Sequence, residues 1–159
     1  MADERELLHA QQAYGTLCAA LQDRQWHFEQ KQEELLVHFG VNGEGLPVDY
    51  IIFVDADRQQ VRVMVPLSLT VSEEKRVEFS LATNYVNYKM ADGSFDYDMV
   101  EGRIFFRMTA TIRDSAVEKE LFHYMIDCSY AMVDQYASKF LALNKDVITL
   151  SDFFQQDQE

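Results

Sequence analysis

The sequence predicts an α+β domain in which an antiparallel β-sheet has helices packed mainly on one side. Apolar residues recur at helical spacing in three stretches, and they alternate with polar residues in the stretches between. The order is helix, four strands, helix, β-hairpin and long helix. Because the chain has 159 residues, 48% of them apolar, it can bury one core. We therefore expect a single domain over residues 1–159, with 144–159 as a C-terminal tail.

Hydrophobic spacing predicts the first helix and the first two strands. Apolar side chains recur at helical spacing over residues 4–22 and indicate an amphipathic helix. Polarity then alternates in two short stretches, Trp26 to Phe28 and Leu35 to Phe39. This alternation predicts two strands joined by a polar turn near Lys31-Gln32.

The third and fourth strands follow a turn-rich segment. Val48 to Val54 is almost wholly apolar, with Ile51 and Phe53 on one of its two faces. A strand that is apolar on both faces is either central under two layers or part of a contact between subunits. The next strand alternates up to Val65, and we expect Pro66 to end it because proline cannot donate a main-chain hydrogen bond.

A second helix is predicted to begin near Ser72, since acidic residues follow in its first turn. One apolar stripe on this helix has a second apolar group beside it. The stripe consists of Val77, Leu81, Tyr85 and Tyr88, and the second group of Phe79, Ala82 and Val86. Asn84 and Asn87 lie near the helix end, where they are either paired ligand contacts or structural amides. We favour the structural interpretation, in which one amide ends the helix and the other satisfies loop carbonyls.

The β-hairpin is predicted from two stretches of alternating polarity on either side of Glu101-Gly102. A two-residue turn there would set the pairs Met99–Ile104, Tyr97–Phe106, Phe95–Met108 and, on the other face, Asp96–Arg107. In this register one face of the hairpin pairs apolar side chains and the other face pairs opposite charges, which favours it.

The long helix is predicted over about residues 116–143, capped by Ser115 or Asp114. It has two apolar stripes, whereas one stripe suffices to cover a sheet. The helix is therefore either wedged between the sheet and the first helix, or it forms the seam of a dimer. The second stripe contains Phe122, Ile126 and Val133.

Four runs of residues between positions 71 and 107 resemble the YbjN family. They are Val71-Ser-Glu-Glu-Lys-Arg, Ala82-Thr-Asn-Tyr-Val-Asn, Asp92-Gly-Ser-Phe-Asp-Tyr-Asp and Glu101-Gly-Arg-Ile-Phe-Phe-Arg. That family is described as putative bacterial sensory transduction regulators, and its fold resembles the type III secretion chaperones. The resemblance covers roughly residues 5–143 and implies that fold, but it brings no catalytic residues to carry over.

Composition and motifs exclude several function classes. A net charge of −13 disfavours direct nucleic-acid binding, which depends on Lys and Arg neutralising phosphates. The chain has no long apolar run and no signal-peptide pattern, so we expect a cytoplasmic protein that does not enter the membrane. The histidines are scattered singly and the six glycines form no phosphate-binding cluster, so we expect no metal and no cofactor. The two cysteines are expected to be reduced thiols in the core.

The function predicted from these observations is a non-enzymatic protein-interaction module, chaperone-like or regulatory, that acts as a homodimer. Its apolar surface would bind a segment of a partner protein. The candidate partner or dimer surface consists of Ile51 and Phe53, or of Phe122, Ile126 and Val133. A dedicated secretion chaperone is a close alternative. The alternative of another class is a small-molecule sensor or enzyme, with a pocket between sheet and long helix lined by Tyr85, Tyr88, Tyr97 and Tyr130.

Overall fold

The strands form one antiparallel sheet, and the helices cover one of its faces. The computed structural model describes residues 1–42 and 45–155. In chain order the elements are α1 (Glu4–Asp23), β1 (Glu29–Lys31), β2 (Leu36–Val41), β3 (Val48–Asp55), β4 (Gln60–Thr70), α2 (Arg76–Lys89), β5 (Ser94–Asp98), β6 (Arg103–Thr111), α3 (Lys119–Asn144) and α4 (Leu150–Gln155). The strand order across the sheet is β1-β2-β3-β4-β6-β5.

Helix α1 confirms the first predicted helix. The Asp3 carboxylate accepts a hydrogen bond from the Glu6 main-chain N–H, and the Glu6 carboxylate accepts one from the Asp3 N–H, at 2.8 and 3.0 Å. This reciprocal capping satisfies two of the donors that a helix start leaves free. The helix packs its buried side against β3 and α3.

Strand alternation divides β3 between the core and the uncovered face of the sheet. Val48, Tyr50, Ile52 and Val54 are buried under the helices, whereas Ile51 and Phe53 are half-buried on the opposite face. Helices α1, α2 and α3 all pack on the covered face, and α4 packs on α2 and α3. The predicted α+β class with helices on one side is therefore confirmed.

The β5–β6 hairpin exists, but its predicted register is wrong by two residues. Phe95 pairs with Phe106 and Tyr97 with Ile104, because residues 99–102 form a four-residue loop instead of a two-residue turn. The loop is held from outside the hairpin, since the Val71 N–H donates to the Gly102 carbonyl at 2.8 Å. Gly102 has φ +71°, and a Cβ there would collide with the Val71 main chain. A shift of two residues leaves every side chain on its predicted face.

The first predicted strand is also displaced along the chain. Trp26 and Phe28 precede β1, which covers only three residues. A 3₁₀ turn at Gln32–Glu34 separates β1 from β2, and Leu35 adopts a left-handed φ of 50° after it. Trp26 packs instead on the Phe39 ring, with centroids 5.6 Å apart. Because the 3₁₀ turn lies directly between the two strands, β2 pairs with Glu29–Lys31 instead of with the predicted strand at Trp26 to Phe28.

The prediction that Pro66 ends the fourth strand is wrong. Pairing between β3 and β4 ends at Met64, but β4 continues to Thr70 along β6. Pro66 stands opposite Phe105, and the register shifts between Pro66 and Thr70. Proline is tolerated at such an irregularity because no regular ladder bond is required from it.

The long helix begins later than predicted, and the described part of the tail packs onto the domain. Glu118 precedes α3 as its N-terminal flanking residue, so neither Ser115 nor Asp114 is the cap. Residues 156–159 of the predicted tail lie outside the described residues. Within α4, the buried Phe153 ring lies 5.3 Å from the Phe140 ring, which joins α4 to α3.

Candidate functional site

The face of the sheet opposite the helices is the candidate functional site. Its centre consists of five half-buried apolar side chains, which we call the open sheet face: Leu36, Ile51, Phe53, Met64 and Phe105. Leu36 stands opposite Phe53 on the neighbouring strand, and Ile51 stands opposite Met64. The helices of the described chain pack on the other side of the sheet. The open sheet face therefore carries apolar side chains on β2, β3, β4 and β6, with His38, Arg62 and Arg107 among them.

Arg62 lies in this apolar surface with a buried donor that has no partner. Its guanidinium carbon is 5.3 Å from the centre of the Phe53 ring. Its Nε is buried and makes no hydrogen bond within the described residues. A buried donor without an acceptor costs about 1–3 kcal/mol. An acceptor supplied from outside would remove that cost.

The other arginines that neighbour the open sheet face are neutralised by carboxylates. Arg107 Nε donates to Asp96 at 2.5 Å, and a second guanidinium nitrogen donates to the other Asp96 oxygen at 3.2 Å. This hydrogen bonding raises the pKa of Arg107 above its usual value. A guanidinium nitrogen of Arg103 lies 3.4 Å from a carboxylate oxygen of Asp98. Asp96 and Asp98 therefore pair with these two arginines, whereas the buried Arg62 Nε has no acceptor within the described residues, although the Arg62 charge interacts with that of Asp55.

The structure separates the two surfaces proposed for a partner or a dimer. Ile51 and Phe53 lie on the open sheet face, as that proposal requires. Phe122, Ile126 and Val133 are buried within the chain, and the Ile126 carbonyl accepts a hydrogen bond from the Tyr50 hydroxyl at 3.0 Å. The α3 stripe as a dimer seam is therefore wrong, because α3 packs on the sheet beside α1 and these three side chains are buried within the chain.

The four tyrosines proposed as a pocket lining do not converge. The Tyr85 hydroxyl donates to the Phe154 carbonyl at 2.9 Å, which ties α2 to α4. Tyr88 is 91% exposed. Tyr97 lines an open groove of about 460 Å³ between α2 and β5, and Tyr130 is a half-buried residue of α3. The predicted shared pocket between sheet and long helix is not formed by these side chains.

The outer face of α2 is a second surface, which the sequence pattern did not distinguish. Val77 is 68% exposed and Leu81 is 53% exposed, and the neighbouring Asn84 is exposed as well. The buried side of the helix is instead the group beside the predicted stripe, where the Phe79 ring lies 6.1 Å from that of Phe140. Helical spacing alone showed two apolar faces on α2 and contained no signal for which one meets the core.

Asn87 has a structural role at the edge of the sheet. Its amide nitrogen donates to the Phe95 carbonyl at 2.9 Å, and its amide oxygen accepts from the Phe95 N–H at 2.8 Å. Asn87 thus satisfies main-chain groups after the helix, as expected, although α2 continues to Lys89 and the asparagine does not end it. Asn84 makes no such contact and lines the groove.

The described residues contain no arrangement for metal binding or membrane crossing. Nowhere in 1–42 and 45–155 do three or more His, Cys, Asp or Glu side chains gather to hold a metal ion. In the same ranges, each helix is too short or too polar to span a bilayer.

Comparison with known proteins agrees with this architecture. A sequence model of the YbjN family, described as "Putative bacterial sensory transduction regulator", matches residues 14–142, most of the chain. The chain belongs to the YbjN family. The solved structure of YbjN from E. coli, titled "a putative transcription regulator", is similar over 80% of this chain and 90% of that one, with TM-score 0.63 and 14% identity. This likeness shows the shared YbjN fold, and no curated protein matches the chain.

Proposed function

We propose that this YbjN-family protein is a non-enzymatic regulatory module that binds a segment of a partner protein on the open sheet face. The observation that carries the proposal is the apolar surface around Arg62, whose buried Nε has no acceptor. A partner segment with apolar side chains and one carboxylate or carbonyl oxygen would cover this surface and supply that acceptor. The family description, "Putative bacterial sensory transduction regulator", supports the regulatory form.

We propose that regulation acts through a protein partner, in the cytoplasm, and without direct binding to nucleic acid. YbjN from E. coli is described as "a putative transcription regulator", but this chain has a net charge of −13. Phosphate backbones require unpaired cations, whereas Asp96 and Asp98 already pair with Arg107 and Arg103. A chaperone-like variant would use the same surface to hold an unfolded segment of its partner.

Site-specific photo-crosslinking in the host cell tests this proposal. p-Benzoylphenylalanine replaces Phe53 on the open sheet face or, as the control, Gln22, which is exposed on α1. We expect a discrete adduct at Phe53, mapped to one apolar segment of one partner protein, and no such adduct at Gln22. The same pattern of adducts at both positions, or no adduct at Phe53, would contradict the proposal.

A charge reversal tests the role of Arg62 in the same experiment. Arg62→Glu should abolish the Phe53 adduct, because it places a carboxylate where the partner must supply an acceptor. Arg5→Glu makes the same change in net charge at an exposed position of α1 and should leave the adduct intact. Equal adduct yields in both variants would show that Arg62 does not take part in binding.

A further inference from the structure

The apolar side chains of the open sheet face, together with Pro66, form a diagonal stripe across four strands. The stripe consists of three pairs of side chains on neighbouring strands. Each pair lies one strand further across the sheet and two residues further along it than the pair before: Leu36–Phe53, Ile51–Met64 and Pro66–Phe105. We call these six side chains the diagonal stripe. Pro66 is exposed and the other five are half-buried, so the stripe can be reached from solvent.

The length of the diagonal stripe matches that of a short helix. From Leu36 on β2 to Phe105 on β6, the stripe crosses β3 and β4 and moves four residues along the strands. With about 4.8 Å between strands and about 3.3 Å per residue, its two ends lie about 20 Å apart. An α-helix of that length has about 13 residues, and its apolar positions recur every three or four residues on one side.

The middle of the sheet favours a helix over an extended segment as the occupant. Strands β3 and β4 each pair with a strand on both sides, so they offer side chains and not main-chain groups to a partner. An extended segment laid on the diagonal stripe would press its own N–H and C=O groups against apolar side chains, which costs free energy. A helix bonds these groups internally. The opposite face of the same sheet is already covered by helices.

The two borders of the diagonal stripe differ in charge. Arg62 and Arg107 lie on one border, each directly opposite a side chain of the stripe. His38 and Asp49 lie on the other border. Arg107 is paired with Asp96, whereas Arg62 makes no hydrogen bond within the described residues. A helix on the stripe would therefore meet an arginine with free hydrogen-bonding capacity along one side.

We propose that the segment bound on the open sheet face is an amphipathic helix of about 13 residues, which lies along the diagonal stripe and carries an acidic residue against Arg62. Asp55 interacts electrostatically with Arg62, but its carboxylate already accepts hydrogen bonds from the Arg58 N–H and guanidinium at 3.0 and 2.9 Å. A carboxylate of the partner would form charge-assisted hydrogen bonds with the Arg62 guanidinium. This helix belongs to the partner proposed above, so the inference rests on that function.

Photo-crosslinking from the two ends of the diagonal stripe distinguishes a helix from an extended segment. In the full chain and in the host cell, p-benzoylphenylalanine replaces Leu36 in one variant and Phe105 in another. We expect both adducts in one segment of one partner protein, about 13 residues apart. A separation of about six residues, as in an extended segment, would overturn the proposal. Adducts in two different segments, or with a second copy of this chain, would overturn it as well.

A second pair of positions keeps this measurement decisive. Thermal melting checks that each variant folds. Should the Leu36 variant be unstable, Phe53 becomes the first end of the stripe, and the expected separation from the Phe105 adduct is about 11 residues for a helix and about five for an extended segment.

Charge exchange tests the contact with Arg62. Arg62→Glu should remove the Phe105 adduct, and replacing the acidic residue of the partner nearest the Phe53 adduct with arginine should restore it. Arg58→Glu makes the same charge change at an exposed arginine and should leave the adduct intact. A mapped segment without an acidic residue, or no recovery in the exchanged pair, would overturn the proposal. The absence of any adduct at Phe53 contradicts the proposed function itself, whereas adducts with the wrong spacing contradict only the helix.

Discussion

Replacing Asn87 with alanine should destabilise the protein by uncovering the edge of its sheet. Strand β5 is the last strand on one side, and its Phe95 N–H and carbonyl both bond to the Asn87 amide. The side chain takes the place that a further strand would otherwise occupy. Each of these hydrogen bonds contributes about 0.5–1.5 kcal/mol net, so losing both should cost about 1–3 kcal/mol.

The control is Asn84→Ala, three residues earlier on the same helix. Alanine favours a helix over asparagine by up to about 0.7 kcal/mol, and this gain is common to both variants. Asn84 is exposed and lacks the bonds to β5, so the difference between the two variants isolates the contribution of those bonds. Urea denaturation at a low protein concentration measures the free energy of unfolding of both variants. The fluorescence of the single tryptophan follows the transition.

Two further measurements identify the cause of the effect. The Phe95 amide should exchange its hydrogen faster in Asn87→Ala than in Asn84→Ala. Asn87→Asp keeps the acceptor for the Phe95 N–H but loses the donor to the Phe95 carbonyl, so it should also destabilise the fold at neutral pH. A difference in unfolding free energy below about 0.5 kcal/mol between the two alanine variants would refute the edge-protection argument.

Three further predictions follow from burial and charge. Phe106→Ala should cost about 3–5 kcal/mol because Phe106 is fully buried, and Phe105→Ala on the open sheet face should cost much less; equal midpoint shifts in urea would contradict this. Burial raises the pKa of Tyr14 from 10.0 to about 12, so its contribution to stability is present below pH 10 and is lost as the pH rises to 12. Tyr14→Phe should therefore flatten the stability curve in that interval, as urea melts at several pH values would show. Fluorescence anisotropy should detect no nucleic-acid binding near physiological salt, and salt-sensitive micromolar binding would overturn that expectation.

Local patterns predicted the parts of the fold that depend on side-chain alternation. The two faces of β3 were predicted from a period of two, and they hold in the structure. The hairpin faces also hold although the register moved, because a shift of two residues returns each side chain to its own side. Asp96 therefore meets Arg107 from a diagonal position instead of from directly opposite.

Contacts from distant parts of the chain decided the features that were predicted wrongly. The hairpin register depends on a four-residue loop held by Val71, which lies outside the hairpin. The apparent excess of apolar surface on α3 is used by the sheet and by α1. Of the candidate surface, only Ile51 and Phe53 remain accessible. None of these contacts can be predicted from the local spacing of residues.

The sequence by itself determined the order of the elements, the face of each strand that turns inward and the likeness to the YbjN family. The tertiary structure alone decided which apolar face of α2 meets the core and which face of the sheet stays open. The physical reason is that hydrophobic burial is non-directional, so an apolar stripe is satisfied by any apolar partner. Phe79 found its partner in Phe140 within the chain, whereas Leu81, two residues later on the same helix, remains exposed.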